Sequence, residues 1–174
     1  MSFEQSNTGE QGSESFTKLA SEPFDGREHQ KFTDYYEAKY GKPSFVPRNA
    51  IMDTWSDQVI ISENIATCYP IIAFNKEDKC QMIHYSQNPW HPTNYEEYQK
   101  KIKEWKSMGC EVYLIKAPRT TALVHDDELS KLFGDRYHQL DITEDTSYSL
   151  VIDVKKKHLL LNKRDTRYLD TYSI

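Results

Sequence analysis

The chain has 174 residues, enough for one domain with a sizeable core, and no stretch approaches the ~18 uninterrupted apolar residues that a membrane span needs, so no membrane insertion is expected. Its formal charge is -5, with six acids and two bases in the first 30 residues and near balance beyond them. No concentrated basic face is legible, and nucleic acid is therefore not an expected partner.

Residues 1 to 26 are polar, rich in Gly, Ser and Glu, and too poor in apolar residues to offset ordering entropy, which predicts a disordered tail followed by a single domain over 27–174. The tail has neither the apolar core of a signal peptide nor the Arg-rich pattern of a transit peptide. Three cysteines at irregular spacing make no disulfide framework, so a reducing compartment is expected: the cytoplasm, or a host cytoplasm reached without a classical signal.

Phe32, Tyr35, Tyr36 and Tyr40 recur at helical spacing, and Gly41 with Pro43 supplies a stop. The apolar runs Tyr69 to Phe74 and Cys80 to Tyr85 flank a charged turn, Asn75 to Lys79, the pattern of a β-hairpin with a five-residue loop. Counting outward from Glu77 pairs Phe74 with Cys80, Ile72 with Met82 and Pro70 with His84. A second helix is expected from Asn94 to Met108, with Thr93 and Glu96 in capping-box register and Gly109 just past the end. Its buried stripe would be Tyr95, Tyr98, Ile102, Trp105 and Met108. Glu111 to Lys116 reads as a strand and Asp126 to Phe133 as a short helix closed by Gly134. Tyr148 to Val154 and His158 to Leu161 read as strands across a solvated turn at Lys155, Lys156 and Lys157. That order predicts an α+β fold, a mixed sheet core with helices outside it.

The hairpin register sets Cys68 diagonal to His84 on one face, about 7 Å apart at the β-carbons, within reach of a thiol-imidazole contact after a modest strand bend. Taken singly, a cysteine in an apolar run is a small hydrophobe, and a histidine there is a satisfied core residue. Jointly they are a candidate nucleophile and base. Cys80 and Cys110 read as packing residues. Cys80 and His84, about 13 Å apart along one strand, are too distant to share a zinc ion, and no third ligand joins Cys68 and His84, so no metal is expected. His91, in the sequence Trp90-His91-Pro92, reads as an exposed loop residue.

The segment QVIISENIATCYPIIAFNKEDKCQMIHYS resembles the core of the chemoreceptor glutamine deamidases (CheD) and of the catalytic domain of cytotoxic necrotizing factor and related toxins. In those proteins a strand ends in a Thr, a short loop delivers the catalytic Cys, and a hairpin returns the catalytic His. The resemblance covers roughly residues 57 to 162. It implies a mixed β-sandwich flanked by helices in α/β/β/α layers, with Cys68 as nucleophile, His84 as base and Ser62 in the place of the Thr that orients the imidazole. Family members usually carry glycine beside the nucleophile, where backbone amides form an oxyanion site. Here the loop is Glu63, Asn64, Ile65, Ala66 and Thr67, in which Asn64 best tolerates a left-handed conformation. Cys68-x-Pro70 resembles instead the laccase-domain purine nucleoside enzymes of the same superfamily, although the glycine/tryptophan motif that follows their His is absent and His29 is the only histidine upstream.

What the resemblance implies is acyl transfer without a cofactor. The Cys68 thiolate, deprotonated by His84, would attack a glutamine carboxamide of a protein substrate, release ammonia and leave a thioester for water, while amides around Thr67 and Cys68 stabilise the oxyanion. Two alternatives stand beside this expectation: the laccase-domain-like nucleoside enzyme, and a catalytically inactive protein-binding module of the same fold, contacting partners through an aromatic face around Trp90, Tyr95 and Trp105.

Overall fold

A computed structural model describes residues 16–24, 29–116, 123–143, 146–164 and 168–174. The expected tail lies outside the described residues over 1–15 and 25–26. Between those stretches the chain does not behave as a tail. Thr17–Pro23 forms β1, which pairs antiparallel with the last strand, from Thr17 opposite Ser173 to Pro23 opposite Tyr168. An edge strand needs ladder bonds rather than apolar side chains, and a polar edge resists pairing with other chains. Ser21 Oγ donates to Asp170 Oδ1 at 2.6 Å, and Lys18 Nζ lies 3.1 Å from the same carboxylate.

The helix α1 spans His29–Tyr40, and Gly41 beyond it takes a left-handed φ of 80°. Then come β2 (Ser44–Phe45), β3 (Ile60–Ile65), β4 (Tyr69–Phe74) and β5 (Cys80–Tyr85). The β4–β5 pairing is the one counted from the sequence, with Phe74 opposite Cys80, Ile72 opposite Met82 and Pro70 opposite His84. The turn is held by the Asn75 carboxamide oxygen, which accepts from the amides of Glu77 and Lys79, both at 3.0 Å.

The helix α2 spans Tyr95–Met108. Its N-cap is Asn94, whose side chain accepts from the amides of Glu96 and Glu97. Thr93 instead accepts from the Ser86 amide at 2.8 Å and fastens the preceding loop. Gly109 ends the helix at φ 72°, as its position past the last periodic residue foretold. Tyr98, Ile102 and Trp105 are buried, whereas Tyr95 and Met108, at the two ends of the expected stripe, stay exposed. Next are β6 (Glu111–Lys116), α3 (Leu123–Phe133), a single 3-10 turn at Gly134–Arg136, β7 (Tyr137–Asp141), β8 (Tyr148–Asp153), β9 (His158–Lys163) and β10 (Tyr168–Ser173).

The strands form two mixed sheets: β1-β10-β9-β8-β3-β2, with β2 and β3 parallel, and β5-β4-β6-β7, with β6 and β7 parallel. The fold is α+β. Ile60, Leu150, Ile152, Leu159 and Leu161 of the larger sheet meet Ile72, Phe74, Cys80, Met82 and Ile115 of the smaller in one buried cluster, so the sheets pack face to face. On the outer face of the smaller sheet, Ile71, Ile83, Val112 and Leu114 pack with Tyr98, Ile102 and Trp105 of α2 and Leu129 and Phe133 of α3. Tyr36 of α1 packs with Ile61, Val151 and Leu160 on the outer face of the larger sheet. Among the described residues, no helix is long and apolar enough to cross a membrane.

Candidate functional site

The chain changes sheets between β3 and β4, and the candidate residues gather at that crossover. Between Ser62, opposite Leu150, and Ile65, opposite Tyr148, β3 carries one residue more than its partner. Such a bulge bends the strand and disrupts the ladder locally. Asn64, within it, takes φ 58°, the left-handed conformation that glycine would otherwise supply. The strand runs on through Ile65, so the turn proper is Ala66, Thr67 and Cys68, shorter than the five-residue loop expected. Thr67 is exposed, and Thr67 and Cys68 belong to neither strand ladder.

Ser62 and His84 come from different sheets and are both fully buried. Ser62 Oγ lies 2.8 Å from the Val46 carbonyl oxygen and 2.9 Å from His84 Nδ1. A hydroxyl has one proton, and the carbonyl can only accept, so Ser62 donates to Val46. The imidazole must then carry its proton on Nδ1 and donate it to Ser62. Nε2 is left with a free lone pair, and this buried atom has no hydrogen-bond partner among the described residues. Burial, and then the positive charge of Arg48, lower the His84 pKa to about 4 against the opposing pull of the Val46 carbonyl. The ring is therefore neutral at physiological pH, in the tautomer a general base at Nε2 requires.

Cys68 stands at the entrance to β4, 2% exposed, two residues before the Pro70 that faces His84. The structure brings Ser62 and His84 into contact and sets Cys68 in the turn just before the adjacent strand, but no hydrogen bond joins its sulfur to Nε2. Tyr148 is also close by: complete burial and then Cys68 hold its phenol well above the usual range. Cys80 is fully buried in the inter-sheet core, its thiol raised far above the usual value by burial, and Cys110 is pushed up to about 11 by the same cause. All three cysteines are free.

The segment before β3 adds residues that sequence reasoning passed over. Val46 supplies the carbonyl, Arg48 the charge, and Ala50 a carbonyl that accepts from the His84 amide at 2.9 Å. Asn49 takes φ 66° and keeps a buried Oδ1 without a hydrogen-bond partner among the described residues. The only signal was the turn chemistry of Pro47 and Asn49, which marks a loop without saying where it docks. The expected aromatic face does not exist as a unit: Trp90 is 84% exposed and Tyr95 46%, but Trp105 lies wholly in the core, donating to Gln81 Oε1 at 2.7 Å. Among the described residues, no three His, Cys, Asp or Glu side chains converge as metal ligands.

Comparison with models of known protein families finds none that matches the chain, and a search of curated proteins finds no match.

Proposed function

We propose that the protein is a cysteine-dependent glutamine deamidase in which His84 activates Cys68 and Ser62 fixes the imidazole. The observation that carries this reading is the Val46–Ser62–His84 chain, which leaves an unprotonated, unpartnered Nε2 beside the sheet crossover where Cys68 sits. In the reaction the Cys68 proton passes to Nε2 and the thiolate adds to the carboxamide carbon. The imidazolium then protonates the departing nitrogen, the carbon–nitrogen bond breaks, and ammonia leaves a thioester. Water, deprotonated by the same Nε2, hydrolyses the thioester to glutamate. On this reading the amides of the Ala66–Cys68 turn would stabilise the oxyanion.

Ammonia release from glutamine-bearing proteins tests the reading. Cys68→Ser and His84→Ala should each abolish it while the fold, followed by circular dichroism, persists; a fully active Cys68→Ala protein would sink the proposal. A second reading, a binding module of the same architecture, is favoured by one observation: the Cys68 thiol is buried and not hydrogen-bonded to the base. In that case none of these substitutions changes ammonia release, because there is none to change.

A further inference from the structure

The strand β5 is the outer strand of its sheet, yet its free edge is covered by the chain itself. Residues 50–56 lie antiparallel along it. Ile51 bridges Ile83, the His84 amide donates to Ala50 and the Met52 amide to Met82, and Ser56 exchanges both backbone bonds with Cys80. Gln81, held by Trp105, donates to the Asp53 carbonyl at 3.0 Å. Side chains of this strap alternate as in a strand: Ile51 packs toward the helices, Ala50 and Met52 toward the core between the sheets.

With Ile51 opposite Ile83, Ala50 stands directly opposite His84 on the inter-sheet face, where paired β-carbons lie about 5 Å apart. The strap thus presents one small methyl group beside the imidazole, and both members of the Cys-His pair are enclosed. We propose that the strap occupies the substrate's place: a protein substrate binds as an extended strand along the outer edge of β5, displacing residues 50–52, with its glutamine in the Ala50 position. This rests on the deamidase reading and narrows its substrate class to extended or locally unfolded glutamine segments. Backbone pairing to the edge supplies affinity, and the side chain that faces inward supplies selectivity. The displaced strap is then an intramolecular competitor.

The strap can be turned into a substrate. In the full-length Ala50→Gln chain, thiolate attack on the new carboxamide, loss of ammonia and thioester hydrolysis should raise the intact mass by about 1 Da, localised to residue 50 by fragmentation, and adding Cys68→Ser should abolish the gain. In trans, wild-type protein should deamidate a synthetic peptide of residues 46–56 carrying the same Ala50→Gln change at least tenfold faster than its scrambled counterpart. A folded Ala50→Gln chain that keeps its mass overturns the proposal; if that variant fails to fold, the peptide comparison decides. Equal conversion of both peptides overturns edge docking and leaves the deamidase reading standing. No conversion of either peptide, with no ammonia from any protein tested, removes both.

Discussion

Enclosing His84 between the sheets keeps its imidazole neutral down to about pH 4, whereas in an unfolded chain it titrates near 6.5. As pH falls through that window the unfolded state takes up a proton that the folded state refuses. Stability therefore declines from about pH 6.5 to about pH 4 and levels off below, by at most ~3 kcal/mol from this group. Urea unfolding at pH 7 and pH 4.5 should show that part of the loss in the wild type and not in His84→Ala. Ser62 acts on the same ring through its tautomer. On the deamidase reading, Ser62→Ala should slow ammonia release by roughly 10²-fold, the scale on which general-base catalysis operates, whereas Ser62→Thr retains an Oγ and should stay within a few-fold of wild type. Measured rates for the pair separate loss of the hydroxyl from loss of volume.

Single elements show what the sequence made legible and what it did not. The β4–β5 register was countable because a short charged turn and two apolar runs leave one way to pair while both faces are buried. The α2 boundaries were legible to within a residue, but the cap was not: Thr93 and Asn94 are both cap formers, and only the partner of Thr93 across the loop, Ser86, decides between them. Asn94→Ala should therefore lower stability by about 1 kcal/mol. Gly109→Ala should cost a similar amount, because φ 72° strains any residue with a β-carbon. Chemical denaturation of the two variants checks both. The strap over β5 left no periodic trace, since its pairing is two isolated bridges rather than a strand. Likewise β1 is short of buried apolar residues, with its Leu19 exposed, and its place in the sheet comes from ladder bonds to β10 that composition does not record.

Across the whole molecule, the candidate site and the N-terminal strand lie at opposite ends of the larger sheet, β1 at one edge and β3 beside the other. Removing residues 1–24 uncovers β10 without touching Ser62, Cys68 or His84. Such a truncation should self-associate at high concentration through the exposed edge, visible in sedimentation, while any ammonia release persists. The Ser62–His84 contact, by contrast, exists only when the two sheets are docked, so the base is assembled by the sandwich core itself. That assembly has meaning for function only if the imidazole activates the thiol one strand away. Alkylation by iodoacetamide at pH 6, with each cysteine followed by peptide mass, tests this most directly. Cys68 should react well ahead of Cys80 and Cys110, whose thiols burial holds protonated, and His84→Ala should erase its lead. Equal, slow modification of all three cysteines in the wild type would contradict the account.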